Sequence, residues 1–232
     1  MMKYLGGKYK IRKQVSAYLE SVRGGMDYVE PFVGSANIIS EMSGNRTAYD
    51  NSEHMITLWN ALKQGWIPPD EVSEELYRQY RLTKPVGDPL TAFIGHGCSF
   101  GGDFYHGYAR SKTTQSYAKA AKNSLLRKLK MLNGVTFKQS CYSELSPKNC
   151  LVYCDPPYAD TTKINNKAFD SDRFWDKMRE WSKNNTVIIS EYSAPTDFEC
   201  VLEMPYRMSM WNKNQDGNVQ QVRIERLFKH KS

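Results

Sequence analysis

A short apolar run that stops at an acid and two prolines is the strongest constraint on the fold of this chain. The run is Leu151–Cys154, and Asp155-Pro156-Pro157-Tyr158 follows it directly. An apolar run of this length predicts a buried strand, and the prolines end it because proline has no backbone N–H to donate. Ligands of open α/β sheets bind beyond the carboxyl ends of the strands. We therefore expect an α/β sheet with a ligand site beside Asp155.

The residues after this strand suit the chemistry of an exocyclic amine on a flat base. The lone pair of such an amine is delocalised into the ring, and two acceptors aimed at its hydrogens would free it. Asp155 supplies a carboxylate, and the carbonyl of Pro156 is a second acceptor, which the fixed φ of Pro157 holds in place. Tyr158 offers a ring face for stacking the base. The alternative is an ordinary turn with Tyr158 as a surface aromatic.

A second strand and turn lie upstream and provide the context that the first motif needs. Asp27–Glu30 predicts a strand, Pro31–Ala36 a tight turn, and the chain from Asn37 a helix whose N-terminus faces the ligand. The next predicted strand ends at Asp50, at a spacing after Gly34 that suits hydrogen bonding to ribose hydroxyls. The alternative for Asp50 is a turn or a cap of the helix that follows.

Four sequence blocks occur in the order found in a known family, and together they span essentially the whole chain. The blocks are Lys3-Tyr4-Leu5-Gly6-Gly7-Lys8, Tyr28–Ser35, Ala48–Asn51 and Asp155–Tyr158. In these blocks the chain resembles the Dam-type (D12 class) N6-adenine-specific DNA methyltransferases, in particular their phage-type members. The resemblance implies methyl transfer from S-adenosylmethionine to N6 of an adenine that is flipped out of duplex DNA.

The same resemblance implies an architecture and a domain division. We expect an α/β fold, namely a Rossmann-like S-adenosylmethionine-dependent methyltransferase sheet with a small, mainly helical target-recognition insert. The catalytic domain would comprise residues 1–66 and 134–232, and the insert residues 67–133. GATC is the recognition sequence that we expect first for this family.

The resemblance also assigns roles to individual residues. Asp155, Pro156 and Tyr158 match the catalytic positions that hold the target adenine. The positions that match cofactor contacts are Tyr4, Lys8, Glu30, Pro31, Phe32, Gly34, Asp50 and Asp155. Lys3 matches a lysine that approaches a base of the recognition site, and the alternative for it is a solvated N-terminal charge.

The chain departs from the family pattern at two places. Ala36 stands where the family usually has a second glycine in the cofactor loop, and a Cβ there would narrow the pocket or shift the turn. Cys141-Tyr142 stands where members commonly place Asp-Phe to meet the adenine of the cofactor. The ring is kept there and the acidic acceptor is missing.

The net charge of +7 and the pI near 9.0 favour a polyanionic partner. No acid occurs between Asp103 and Glu144, a stretch that is rich in lysine and arginine and contains aromatic residues at its start. These cations would neutralise phosphates, and aromatics or loop tips would fill the gap left by an extruded base. The DNA-binding candidates are Lys3, Arg110, Lys112, Lys119 and Lys122. The alternative is the solvated face of a helix over 118–132.

Other functions find less support in the sequence. His96 and His106 lack ligand partners at suitable spacing, so we expect no metal and neither histidine as a base. The five cysteines show no paired spacing, which suits a reducing compartment. With no signal peptide and no membrane-spanning run, we expect a cytoplasmic protein, in a bacterium or a phage-infected cell. We expect double-stranded DNA as its partner, with no membrane and no obligate protein partner.

Three alternative functions remain open. The same fold could methylate N4 of cytosine, whose enzymes more often have serine in place of Asp155. It could methylate RNA or a glutamine amide, although the glutamine enzymes usually carry asparagine there. The chain could also be a catalytically silent DNA-binding protein, which Ala36 and Cys141-Tyr142 favour. The sequence leaves a role in restriction-modification or phage protection open.

Overall fold

The computed structural model describes residue 4 and residues 6–110, 116–157, 163–164, 167–214 and 217–231. For residues 163–164, 167–168, 206–214 and 217–223 it describes the backbone alone. Three of the site residues expected from the sequence, Lys3, Lys112 and Tyr158, lie outside the described residues.

The described chain begins with a helix and two strands, continues with a helical stretch up to the third strand, and ends in two long strands. The helices are α1 (Arg12–Arg23), α2 (Glu53–Lys63), α3 (Glu74–Thr83), α4 (Pro89–Ala92), α5 (Tyr117–Leu129) and α6 (Ser171–Ser182), with a π-helical segment over Phe93–Gly97. The strands are β1 (Asp27–Glu30), β2 (Arg46–Asp50), β3 (Val135–Gln139), β4 (Cys150–Cys154), β5 (Lys163–Ile164), β6 (Lys167–Ala168), β7 (Thr186–Glu191), β8 (Phe198–Asn214) and β9 (Gly217–His230).

Within the described part of the chain, seven strands form one sheet in the order β3-β2-β1-β4-β7-β9-β8. The strands from β3 to β7 run parallel, whereas β9 pairs antiparallel with β7 and with β8. The order 3-2-1-4 is that of the Rossmann-like doubly wound sheet, so the expected fold class is confirmed. The direction of the winding reverses between β1 and β4, and the crevice at their carboxyl ends is the place where ligands bind in such sheets.

The alternation of side chains along β1 and β4 explains why the sheet is covered on both faces. Tyr28, Leu151 and Tyr153 pack into one apolar cluster with residues of α1 and α2. Val29 and Val152 pack into a second cluster, together with the aromatic side chains of α6. Successive side chains of a strand point to opposite faces, and a strand buried on both faces is therefore apolar throughout. This is why Leu151–Cys154 could be recognised as a strand from the sequence.

Two expected elements differ in the structure. The helix expected from Asn37 onward is replaced by a single 3-10 turn at Ile39–Glu41, so no helix N-terminus faces the crevice there. The guanidinium of Arg46 donates to the carbonyls of Ile39, at 3.1 Å, and Met42, at 2.8 Å, and it thereby holds carbonyls that a longer helix would use itself. The second is the segment 93–102, whose many glycines predict loop or turns. In the structure this segment begins with a π-helical turn that continues α4.

Residues 67–133 form the crossover between β2 and β3, and α3, α4 and α5 lie within it. Their apolar side chains, including Tyr77, Phe93 and Leu125, join the same buried cluster as Leu58 and Trp59 of α2. The crossover is therefore packed on the sheet domain through α2. No helix in the described ranges is long and apolar enough to cross a membrane.

Candidate active site

Asp155 lies at the carboxyl end of β4, beside the carboxyl end of β1. The register aligns Val29 with Val152, so the residues that follow the two strands flank the same crevice. Pro156 is buried and Pro157 half-buried directly after Asp155. The aspartate and the two prolines therefore occupy the place that the sequence predicted for them.

Lys8 connects Asp155 to the C-terminal strand β9. Its ammonium nitrogen lies 2.7 Å from Oδ1 of Asp155 and 3.5 Å from Oε1 of Glu225. The side chains of Lys8, Asp155 and Glu225 are exposed by only 6%, 19% and 1%. Burial raises the pKa of Asp155, and the nearby charge of Lys8 opposes that rise. One buried cation thus lies between the buried carboxylate of Glu225 and the largely buried carboxylate of Asp155.

Glu30 lies beneath the crevice rather than at its surface. The residue is 2% exposed, and its Oε2 accepts a hydrogen bond of 2.9 Å from the hydroxyl of Tyr28. Burial raises the pKa of Glu30 well above its usual range, and the hydrogen bond from Tyr28 opposes this. Glu30 therefore supports the turn that follows β1 from within the sheet.

The cofactor loop, which we define as Pro31–Asn37, is tied to the end of β2. The backbone N–H of Gly34 donates to Oδ2 of Asp50 at 2.8 Å, and Oδ1 of Asp50 accepts from the N–H of Ser52 at 2.8 Å. Burial raises the pKa of Asp50, while both backbone hydrogen bonds lower it. Ser52 itself caps α2. Asp50 therefore joins the turn after β1 to the residue that caps α2, and its expected contact with a ribose stays a prediction.

The aromatic ring of Tyr4 covers this turn and connects it to the crossover. A Cβ built on Gly34 would lie 3.0 Å from Cε1 of Tyr4, so the turn and the ring approach as closely as glycine permits. Tyr4 is also near enough to Asp50 and Asp155 for both carboxylates to raise its pKa, after the larger effect of burial. The ring of His96 lies against it, with centroids 4.6 Å apart.

His96 is held in one orientation by its own segment. Its Nδ1 lies 3.0 Å from the carbonyl oxygen of Gly102, so Nδ1 carries the proton that is donated to that oxygen. Burial lowers the pKa of His96 to about 4, and the ring is therefore neutral at pH 7. Phe104 packs on the other side of the ring at 4.9 Å. A residue expected to carry no chemistry thus lies beside a predicted cofactor residue.

The side chains of Trp59 and Lys128 donate hydrogen bonds to the cofactor loop from the helices α2 and α5. The indole Nε1–H of Trp59 donates to the carbonyl oxygen of Gly34 at 2.9 Å. The ammonium of Lys128 donates to the carbonyl oxygen of Ser35, and to Oδ1 of Asn37 at 2.6 Å. The sequence analysis missed both roles, because Trp59 is one apolar residue of an amphipathic helix and Lys128 belongs to a run of lysines.

The pair Cys141-Tyr142 lies close to the cofactor loop. The ring of Tyr142 lies 5.2 Å from the ring of Phe32, and both rings pack against Phe174 of α6. A ring is therefore present at this side of the crevice, although the acid that commonly precedes it in the family is replaced by Cys141.

The described DNA-binding candidates lie in the crossover, away from Asp155 in sequence, and two of them have acidic partners. Arg110 pairs with Glu74 at 2.6 Å, and Lys122 pairs with Asp70 at 3.2 Å. Lys119 is exposed on α5. The side chain of Arg110 is 70% exposed, whereas that of Lys122 is 19% exposed. Because exposed ion pairs contribute little, Arg110 can exchange its carboxylate for a phosphate at small cost.

The residues around the crevice fit S-adenosylmethionine. Each oxygen of Asp50 accepts one backbone N–H, which leaves lone pairs for ribose hydroxyls. The buried carboxylate of Asp155 complements a sulfonium or an ammonium group. The glycine at position 34 keeps the turn and the ring of Tyr4 in close contact. When bound there, S-adenosylmethionine supplies an electrophilic methyl group.

Comparisons with known proteins bear on the family and the fold of the chain. Residues 99–197, less than half of the chain, match the model of the D12 class N6 adenine-specific DNA methyltransferase family. A search of curated proteins found no match.

Several solved structures are similar over most of their length. They include protein 1320 of Thermoplasma acidophilum (12% identity, 98% of each chain, TM-score 0.44) and precorrin-6y C5,15-methyltransferase from Geobacter metallireducens GS-15 (8% identity, 96% of this chain and 88% of that chain, TM-score 0.43). A third is magnesium protoporphyrin IX methyltransferase from Synechocystis PCC 6803 with bound S-adenosylmethionine (10% identity, 97% and 79%, TM-score 0.42). Scores of this size support no statement about substrate or site residues.

The segment that matches the family model contains Asp155-Pro156-Pro157 and the pair Cys141-Tyr142. The resemblance to the D12 class is thereby confirmed, whereas its phage-type detail stays a prediction. The protein is an adenine-specific methyltransferase that uses S-adenosylmethionine as its methyl donor.

Proposed function

We propose that the protein binds duplex DNA and methylates N6 of an adenine that it flips out of the helix. The observation that carries this proposal is the buried carboxylate of Asp155, which lies at the crevice between β1 and β4 and is held by Lys8 at 2.7 Å. An acceptor fixed in this way is preorganised for the amino group of a base and requires no rearrangement when the base arrives.

In the proposed mechanism, Asp155 and the carbonyl of Pro156 accept hydrogen bonds from the two hydrogens of N6. These bonds draw the nitrogen lone pair out of conjugation and align it with the methyl group of the cofactor. Tyr158 stacks on the flipped base, which offsets the few kcal/mol of unstacking. N6 would take the methyl group by direct displacement, in which the N–C bond forms as the S–C bond breaks and S-adenosylhomocysteine leaves; the step depends on proximity and alignment. Asp155 acts as a hydrogen-bond acceptor, and the methylated amine would then release its extra proton to water.

We propose that the cofactor occupies the crevice between the cofactor loop and Tyr4. Tyr4, Pro31, Phe32, Gly34, Asp50 and Asp155 would contact it directly. Lys8 and Glu30 would act through other residues, because Lys8 is 7% exposed and pairs with Asp155, whereas Glu30 is 2% exposed and bonded to Tyr28.

We propose that residues 67–133 are the target-recognition insert of a catalytic domain made of 1–66 and 134–232. The exposed cations Arg110 and Lys119 support this role, and with them we assign Lys3, Lys112 and Lys122 to phosphate or base contacts. The ring of Phe100 is 69% exposed at a turn of this segment, which suits an aromatic that fills the gap of an extruded base. GATC is the sequence to test first.

Nucleoside mass spectrometry of unmethylated plasmid DNA, incubated with the protein and S-adenosylmethionine, tests the proposal. We expect N6-methyladenine, concentrated at one short sequence. N4-methylcytosine would overturn the choice of base, and unmodified DNA would point to RNA as the substrate or to a silent DNA binder.

The variant Asp155→Ala separates chemistry from binding. We expect it to abolish methyl transfer while DNA binding at low salt persists, because phosphate contacts supply most of the non-specific affinity. A loss of DNA binding equal to the loss of transfer would contradict the role given to Asp155.

A further inference from the structure

We propose that Lys128 is a positioning residue for the cofactor loop, and that it compensates for the alanine at position 36. This inference rests on the proposed assignment of the loop Pro31–Asn37 to the cofactor. It gives a lysine of the crossover helix α5 a role in cofactor binding, in a stretch of basic residues whose composition points to DNA.

The need for such a residue comes from the backbone of Ala36. Its φ is +53°, in the left-handed region where the Cβ of an L-residue approaches the backbone too closely. Glycine takes this conformation without the penalty. A non-glycine residue persists there only when its surroundings determine the backbone conformation. Ala36 is fully buried, so neighbouring protein groups must supply that constraint.

Lys128 is placed to supply it. The carbonyl oxygen of Ser35 belongs to the same peptide plane as the N–H of Ala36, and a rotation of that plane changes φ of Ala36. The ammonium of Lys128 binds this oxygen and, at 2.6 Å, Oδ1 of Asn37, the residue after Ala36. The Lys128 ammonium therefore binds the residue before Ala36 and the residue after it.

Other groups hold the neighbouring parts of the loop, and Lys128 is the side chain that binds the carbonyl oxygen of the plane before Ala36. Trp59 binds the carbonyl oxygen of Gly34 at 2.9 Å, one plane earlier. The amide of Asn37 donates to Oγ of Ser35 at 2.8 Å. The N–H of Ala36 donates to the carbonyl of Val33 at 2.7 Å and closes the turn.

The surroundings of Lys128 do not suit a phosphate contact. Its side chain runs into the protein from α5, and burial lowers its pKa to about 8, while the nearby Glu30 opposes this shift. The neighbouring Arg127 is exposed and donates to the carbonyl of Asn123 on its own helix at 3.3 Å. Lys128 therefore binds the loop, whereas its neighbour Arg127 lies at the surface of α5.

The test uses the affinity of the whole protein for S-adenosylmethionine, measured by titration calorimetry without DNA. Lys128→Met keeps the length of the side chain and removes the charge, and we expect affinity at least about tenfold weaker, as for a lost hydrogen bond to a charged group. Ala36→Gly added to Lys128→Met should restore most of the affinity, because glycine needs no restraint. Arg127→Met is the matched control on the same helix and should bind the cofactor as the unaltered protein does.

Unchanged cofactor affinity in Lys128→Met would overturn the inference, and so would a double variant that binds as weakly as Lys128→Met alone. If Lys128→Met does not fold, Asn37→Ala removes one of the two acceptors of the ammonium and is measured with and without Ala36→Gly. Weaker binding that glycine rescues supports the inference, and binding equal to that of the unaltered protein overturns it. An unaltered protein that binds no S-adenosylmethionine would instead defeat the cofactor assignment itself.

Discussion

Replacing Trp59 with phenylalanine should affect both the stability of the fold and the affinity for the cofactor. Trp59 is fully buried and donates its indole N–H to the carbonyl of Gly34 at 2.9 Å. Its ring stacks on Phe137, with centroids 5.7 Å apart. Phenylalanine keeps the stacking and loses the donor, so the carbonyl of Gly34 is left buried without this partner.

The magnitude follows from two contributions. An unsatisfied buried carbonyl costs about 1–3 kcal/mol, and the smaller ring leaves a void worth roughly 1 kcal/mol. The free energy of unfolding should therefore fall by about 2–4 kcal/mol. At roughly 2–4 °C per kcal/mol for a chain of this size, the melting temperature should fall by very roughly 4–16 °C.

Trp175→Phe is the matched control. Trp175 is 7% exposed on α6 and packs against Phe198 at 4.7 Å, on the face of the sheet opposite to Trp59. We expect a smaller loss of stability there, from packing alone, and unchanged affinity for S-adenosylmethionine. The assay is thermal unfolding by circular dichroism, followed by cofactor titration at a temperature well below both transitions. If Trp59→Phe binds the cofactor as tightly as Trp175→Phe does, the reasoning about the loop carbonyl is wrong.

Three further predictions concern charge. Glu225→Gln should lower the preference for S-adenosylmethionine over S-adenosylhomocysteine, which lacks the sulfonium charge, because Lys8 would then balance the charge of Asp155 alone. Calorimetric titrations measure both affinities, and an unchanged ratio of the two dissociation constants would contradict this. Lys119→Ala should weaken DNA binding and reduce the slope of log K against log salt by about 1, and an unaltered slope would remove Lys119 from the phosphate contacts. The pKa of His96 is lowered from 6.5 to about 4, so the unfolded chain binds more protons and stability falls as pH drops from 6.5 toward 4. His96→Asn should flatten this dependence in denaturant titrations, and an equally steep dependence would assign it to other groups.

The strands, and the position of Asp155 at the end of one of them, could be predicted because their sequence signals are local. The run Leu151–Cys154 is buried on both faces of the sheet, so its apolar composition alone was sufficient to predict a strand. Asp50 is the last residue of β2 and Asp155 follows β4 directly. Because both strands are parallel, the two acids lie at the same edge of the sheet. The prediction of a helix from Asn37 was wrong. Arg46, on the following strand, binds the carbonyls of Ile39 and Met42, which a longer helix would use for its own hydrogen bonds.

The supporting residues could not be predicted because their partners are far away in the chain. Lys128 and Ser35 are 93 residues apart, and nothing near Lys128 distinguishes it from the other lysines of α5. In β9 the apolar Ile224 is 41% exposed, whereas the acidic Glu225 is 1% exposed. The partner of Glu225, Lys8, is at the other end of the chain.

The contacts of Lys8 determine when, during synthesis and folding, the site can be completed. Asp155 follows Lys8 by 147 residues, and Glu225 lies still further along, on the strand inserted between β7 and β8. Contacts of such long separation form late, since the loops between them must close first. In a chain still emerging from the ribosome, the loop Pro31–Asn37 and Asp155 are synthesised well before β9. The enzyme therefore cannot assemble its complete charge cluster before synthesis has passed Glu225, and incomplete chains should be unable to methylate.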